Sequence, residues 1–391
     1  MPRPSSRRLA LPLALLCALL AALLTAPLAT AAPEEFTPVT ASIVSPPRPV
    51  PASDGRVHLA YELLLVNRSF APPAQVTVRK VEALAGGKVV ESLSGKALAA
   101  VMAPFGADEP TSTLRRGEAG FVLMDVSFPR GAKLPRRLTH RLSISLKPAR
   151  EAVATSYPAA PTGVGHGAAP VVAPPLRGDG WIVGNGCCAQ LTSHRAGLLP
   201  VNGSLWQGER FAIDFIQVQP SGMLGTGPLD QLSSYPFFGD EVIAAAPGKV
   251  VTVVDNRPET PPGDLPPSTA AHSAGNHVVI DMGHDRYALY AHLQPGSVTV
   301  KPGDRVSTGQ LLGRLGSSGN SNAPHLHFQL MDGPSPLASE GIPYRFSRFS
   351  VAGTLTNFAG LFEGKPAQVK REFAGPHRAE LPLNQQVIGF G

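Results

Sequence analysis

The chain has 391 residues, enough for two domains with buried cores. Its 40 glycines and 41 prolines, beside 6% aromatic and 16% charged residues, favour short strands joined by turns over long helices. The formal charge of +6 gives little reason to expect a nucleic-acid partner, and less once the N-terminus is considered.

Arg3, Arg7 and Arg8 precede an apolar run from Leu9 to Leu24, and Ala29-Thr30-Ala31 has the small-x-small form of a cleavage site. Residues 1–31 therefore read as a secretory signal peptide. Its removal takes three arginines and Cys17 away, so the formal charge falls from +6 by three and the remaining cysteines are the neighbours Cys187 and Cys188. Such a pair points to a structural vicinal disulfide before a metal thiolate. No later run approaches the roughly 20 apolar residues of a spanning helix. The expected product is exported, without a stable membrane span, to the periplasm, the cell envelope or the exterior.

From residue 36 to 147 the pattern is of strands broken by turns, with Val57 to Val66, Gln75 to Val81, Gly120 to Val126 and Leu138 to Leu146 as the strongest candidates. This length and spacing predict a β-sandwich, Ig-like, serving as a spacer or partner-binding accessory domain. Residues 148–180 have the proline, glycine and alanine content of an exposed linker. A second domain is expected over 181–350, with strands at Phe211 to Val218, Glu241 to Ala245, Gly248 to Val254, His277 to Met282, Tyr287 to His292, Gln310 to Leu315 and His325 to Leu330. Two long loops interrupt it, Gln219 to Phe238 and Asn256 to Gly275, and both are expected to border a groove. Residues 351–391 read as a C-terminal tail with no motif.

The chemistry gathers in the second domain. Two histidines in His325-Leu326-His327 share one face of a strand, about 6.5 Å apart along the backbone. His292 closes a further alternating strand, and Asp214 is a lone carboxylate in Phe211-Ala212-Ile213-Asp214-Phe215. Such a carboxylate needs a cation or hydrogen-bond donors. Histidines and an aspartate converging from separate strands suit a metal-assisted hydrolase.

Gly275-Asn276-His277-Val278-Val279-Ile280-Asp281, Tyr290-Ala291-His292-Leu293, Lys301-Pro302-Gly303-Asp304 and Pro324-His325-Leu326-His327-Phe328 follow one another in the order found in the lysostaphin-like (LytM-type) zinc endopeptidases, which this region resembles over about Phe211 to Leu330. The resemblance implies an all-β fold of the duplicated hybrid motif type, an antiparallel sheet with a groove over one Zn2+ ion. It implies hydrolysis of amide bonds in peptidoglycan peptides. On the matching positions it makes Asp214 and His327 metal ligands, and His292 and His325 the histidines that act on the water and the tetrahedral intermediate.

One position departs from that pattern. The family has His-x-x-x-Asp, and this chain has Arg210 four residues before Asp214. A guanidinium has no lone pair to offer a metal. Three readings are open. Another side chain completes the site, with His194 as first candidate and His272, His277 and His284 behind it. Alternatively Arg210 pairs with Asp214 and fills the ion's place, leaving a catalytically degenerate domain that binds peptidoglycan or regulates a hydrolase. In the third, metal binds only with substrate present. Gly313-x-x-Gly316-x-x-Gly319 reads as turn glycines, since no Lys-Ser/Thr follows for a phosphate loop. A biotinyl-type carrier is set aside because no acceptor lysine stands at a hairpin tip.

Overall fold

The computed structural model describes residues 34–69, 75–107, 109–147, 153–263 and 272–391. Contacts divide the chain into Met1–Phe36 and Thr37–Gly391. The expected signal peptide, residues 1–31, lies outside the described residues. Every sheet of the fold belongs to the second unit. Among the described residues no helix is long and apolar enough to cross a membrane.

The fold is all-β. Two five-stranded antiparallel sheets form its N-terminal part. One runs in the order Val39–Ile43, Arg56–Asn67, Ala119–Pro129, Met102–Pro104, with Pro49–Pro51 beside Arg56–Asn67; the other runs Ser156–Gly163, Arg137–Lys147, Gln75–Ala85, Lys88–Ser94, with Thr113–Leu114 beside Gln75–Ala85. Alternation sends Leu59, Tyr61, Leu63 and Leu65 of one sheet into a common core with Val76, Val78 and Val81 of the other. The intervening residues of the same strand face the opposite way. His58, Ala60 and Glu62 are all buried, and Ala60 belongs to the core of the C-terminal half. That strand is thus hydrophobic on one side toward its own sandwich and closed on the other by the second half of the chain.

An eleven-stranded sheet forms that second half. Its order is Arg305–Val306, Gly248–Val254, Asn276–Asp281, Tyr287–Leu293, Leu326–Met331, Ile213–Gln217, Trp181–Gly184, Gln386–Gly389, Phe349–Leu355, Val369–Lys370, with Gly375–His377 beside Phe349–Leu355. Val278, Ile280, Tyr290, Phe328 and Leu330 from its centre share a core with Phe346, Ile388 and Phe390 from the C-terminal end.

Three expectations are corrected here. The expected linker 148–180 is not exposed where it is described, from residue 153 on: Ser156–Gly163 pairs with Arg137–Lys147, and Val171–Val172 pairs in parallel with Arg345–Phe346. Its prolines are tolerated because Ser156–Gly163 is the edge strand of its sheet, where Pro158 and Pro161 need supply no ladder donor. Residues 351–391 are likewise no loose tail. Gln386–Gly389 zips to Trp181–Gly184 on one side and Phe349–Leu355 on the other, extending the central sheet beyond the region where the motifs lie. The loop Gln219 to Phe238 does not border the groove over the histidines; its apolar residues Leu224, Tyr235 and Phe237 pack into the core.

Candidate metal centre and groove

Strand pairing assembles the site. Asp214 stands opposite His327 in the ladder between Ile213–Gln217 and Leu326–Met331, and His327 stands opposite Ala291, the neighbour of His292. Gly184 lies opposite Asp214 on the other side. A Cβ at Gly184 would come within 2.8 Å of the Asp214 carbonyl, so the close strand approach requires glycine. His325 sits one residue ahead of its strand and still turns its imidazole to the same centre.

Three donor groups converge: His194, Asp214 and His327 present ligand atoms within 4.8 Å of one another. His194 Nε2 is 3.2 Å from Asp214 Oδ2, and His327 Nδ1 is 3.0 Å from Asp214 Oδ1. The far nitrogen of each ring is occupied. His194 Nδ1 is 3.3 Å from the Ala212 carbonyl, and His327 Nε2 is 2.7 Å from Gln329 Oε1. Donation to those oxygens directs one lone pair of each imidazole at a carboxylate that is itself an acceptor. Acceptors facing acceptors in a buried site call for a cation between them. The donor set, two imidazoles and a carboxylate, fits a zinc ion.

Two further histidines border this centre. The His292 and His325 rings lie 4.5 Å apart by centroid, and His292 is 5.8 Å from His327. His292 Nδ1 is 2.7 Å from the Ser318 carbonyl, which leaves its Nε2 for the groove, whereas His325 Nδ1 is 2.8 Å from the Ala323 carbonyl and its Nε2 is 3.4 Å from Asp214 Oδ1. His292 also adopts φ of +63°, a left-handed conformation that costs a non-glycine residue on the order of 1 kcal/mol and is retained here within a rigid ladder. Burial, with the charges of His325 and His327, holds His292 well below the usual histidine range. Burial also presses His325 and His327 down, but the Asp214 carboxylate beside them lifts both above it. Asp214 is pushed up by burial and pulled well below the carboxylate range by His194 and His325.

His194 lies on the short helix Ser193–Ala196, capped by Thr192, whose Oγ1 accepts from the Arg195 amide at 3.2 Å. One turn of helix therefore points His194 at the metal centre and Arg195 at the sandwich. Arg195 Nη1 donates to Glu62 Oε1 at 3.0 Å. Arg210 occupies the other side of the same carboxylate, with Nε and Nη2 on Glu62 Oε2 at 2.8 and 2.6 Å, and Nη2 also reaches Glu340 Oε2 at 2.8 Å. The expectation that Arg210 fills the ion's place beside Asp214 is thus overturned: its charge is already matched by Glu62 and Glu340. His272, His277 and His284 do not join the donor group among the described residues; His277 Nδ1 turns back to the Gly275 carbonyl at 2.9 Å.

Sequence reasoning missed two residues of the site. Asn185 Nδ2 donates to Asp214 Oδ2 at 2.8 Å, and Gln329 orients His327. Gln329 was legible in principle, since it follows His325 and His327 at the same two-residue interval. Above the centre opens a cavity of about 430 Å³, walled in part by Ser273, Leu337, Phe358 and Phe362. Among the described residues, Ser273 and Ala274 are the contribution of the Asn256 to Gly275 loop; the two phenylalanines come from the expected tail.

Residues 235–338 match the family described as peptidase family M23. The chain is 43% identical over 58 residues to the peptidoglycan DD-endopeptidase ShyA of Vibrio cholerae serotype O1, covering 15% of this chain and 13% of that protein. It is 57% identical over 42 residues to the glycyl-glycine endopeptidase ALE-1 of Staphylococcus capitis, 11% of each. Among solved structures, the catalytic domain of lysostaphin from Staphylococcus simulans shares 27% identity, with 30% of this chain and 84% of that one covered at a TM-score of 0.20. The matched stretches are thus a small part of the two curated relatives. The match holds His292, His325 and His327, while Asp214 and His194 lie before its start. With several motifs in register and the histidines on adjoining strands, the chain carries a peptidase family M23 domain of the lysostaphin-like, LytM type.

Proposed function

We propose that this chain is an exported zinc metalloendopeptidase that hydrolyses amide bonds in the peptides of peptidoglycan. The observation that carries the reading is the convergence of His194 Nε2, His327 Nδ1 and Asp214, each imidazole with its other nitrogen committed to a carbonyl oxygen, beside His292, whose Nε2 faces the groove, and His325, whose Nε2 is 3.4 Å from Asp214 Oδ1. These three residues would hold the ion, with His194 in the role that Arg210 vacates. Bound there, zinc supplies Lewis-acid polarisation and lowers the pKa of a water toward about 7.

The remaining chemistry belongs to the protein. His292, kept neutral by burial and locked as the Nδ1-H tautomer by Ser318, has the lone pair needed to take a proton from the attacking water and return it to the leaving amine. His325 can hydrogen-bond the oxyanion as charge develops on the scissile carbonyl. The groove lined by Leu337, Phe358 and Phe362 holds the peptide and limits water at the reacting bond. A degenerate, purely binding domain is the competing reading, and Arg210 no longer favours it, because its guanidinium is turned away to Glu62.

Metal analysis of the purified chain together with digestion of isolated peptidoglycan tests the proposal. About one zinc per chain and release of cross-link peptides are expected. His292→Ala should retain the zinc and lose on the order of 100-fold or more in rate. Wild-type protein that holds no metal, or a His292→Ala variant that cuts at full speed, would sink it; retention on peptidoglycan without cleavage would establish the binding reading instead.

A further inference from the structure

A second cluster of ligand-type residues lies away from the groove, where the sandwich meets the C-terminal half. His58 is 5% exposed and held between two carboxylates. Its Nδ1 is 2.9 and 3.0 Å from the two oxygens of Asp125, and its Nε2 is 3.1 Å from Asp54 Oδ2. The disulfide Cys187–Cys188 lies against this group. His58, Asp125 and Cys188 bring Nδ1, a carboxylate oxygen and Sγ within 4.8 Å of one another. All of them line one cavity of about 350 Å³.

We infer that reduction of Cys187–Cys188 creates a second metal site, in which Cys188 Sγ, His58 Nδ1 and Asp125 hold a thiophilic divalent cation such as zinc. With the disulfide intact the sulfur has no anionic lone pair to give, and the positive charge between the carboxylates is that of His58, both of whose ring nitrogens face acceptors only. Reduction changes the donor set. A dithiol attacks one sulfur, its second thiol resolves the mixed disulfide, and two electrons and two protons pass to Cys187 and Cys188 while the dithiol becomes a disulfide. The cation then displaces the Cys188 thiol proton and the Nδ1 proton of His58. One thiolate and the Asp125 carboxylate balance its two charges, and imidazole completes a three-ligand set with the fourth position left for water or Cys187.

Asp54 makes the arrangement a metal site in form as well as content. It accepts the remaining Nε2-H of His58, which fixes the ring with Nδ1 toward Asp125 and Cys188; a carboxylate behind a ligating imidazole is a recurrent device for orienting it. The same logic operates in the groove, where carbonyl oxygens fix His194 and His327. The two centres differ in one respect that an experiment can read, because the groove has no cysteine.

The test is a cobalt(II) titration of the full-length mature chain, followed by absorption. Cys187→Ser leaves Cys188 as a permanent thiol, so the result does not depend on whether a reductant reaches the buried disulfide. That variant should take up one equivalent of cobalt beyond the oxidised wild type and show a sulfur-to-cobalt charge-transfer band in the near ultraviolet. Adding His58→Ala or Cys188→Ser should remove both the band and the extra equivalent. Dithiothreitol-reduced wild type, freed of excess reductant, should behave as Cys187→Ser does. A Cys187→Ser chain without the band overturns the inference, as does a band that survives His58→Ala and Asp125→Asn together. Neither outcome depends on whether the groove binds zinc or cuts peptide.

Discussion

Glu62→Gln is the perturbation that best probes how the N-terminal sandwich supports the metal centre. Glu62 is fully buried and accepts from Arg195 at 3.0 Å and from Arg210 at 3.1, 2.8 and 2.6 Å. Its neighbours Arg195 and Arg210 are also out of solvent, so the carboxylate is the shared counter-ion of two buried guanidiniums, with Glu340 reaching only Arg210. A glutamine keeps one acceptor oxygen and turns an amide N-H2 toward a guanidinium, leaving Arg195 with carbonyls of Met124 and Tyr61 at 3.3 and 3.5 Å as its chief partners. Breaking one side of a buried ion network costs about 3–5 kcal/mol. Set against a typical stability of about 5–15 kcal/mol, that is a large share. Urea unfolding should show a lower midpoint with an unchanged slope. Because Arg195 and His194 share one helical turn, zinc affinity should also fall by about 10-fold or more, as it does when the groups behind a ligand are disturbed. Arg210→His supplies the complementary arm: it restores the residue type of the family pattern yet should weaken zinc retention, since it takes from Glu62 one of its two guanidinium partners and leaves only Arg195. A stability loss under about 1 kcal/mol for Glu62→Gln, or tighter zinc binding in Arg210→His, would refute the reasoning.

Three other outcomes are expected. His194→Ala should lose bound zinc while circular dichroism and the unfolding midpoint of the metal-free protein stay near wild type; unchanged zinc content would remove His194 from the ligand set. Glu259 is half-buried, with one oxygen accepting from the Ser317 amide at 2.6 Å and the other unpartnered, and burial pushes its carboxyl up to about 7. The folded state therefore holds that proton more tightly than the unfolded chain, so this group's stability contribution is present below pH 4.5 and lost as pH rises through about 7, by about 1–2 kcal/mol after allowance for partial exposure. Glu259→Gln should flatten that part of the stability profile, and an unaltered profile measured by thermal unfolding would rule the group out. Phe358→Ala and Phe362→Ala, at the rim of the groove, should raise KM for peptidoglycan fragments several-fold with little change in kcat; an equal fall in kcat at constant KM would place them in the chemistry rather than in substrate binding.

The reading from sequence reached the all-β fold, the M23-type motifs and the inward-facing set His292, His325, His327 and Asp214, because period-two alternation states which side chains share a face and the ladder needs little more. It also singled out His194, on the chemical ground that Arg210 cannot ligate. What the sequence could not supply was the destination of Arg210, since its partner Glu62 is 148 residues away on a strand of the N-terminal sandwich. Local pattern carries no information about such a contact. Nor could composition show that 153–180 and 351–391 are structured: proline and glycine mark weak local propensity, and those segments are held by edge pairing and by a core to which Trp181, Phe346 and Ile388 contribute together. The sequence by itself determined which chemistry is present; tertiary packing decided which histidine joins the centre, because ligand geometry depends on strands and a helical turn brought together from three separate parts of the chain.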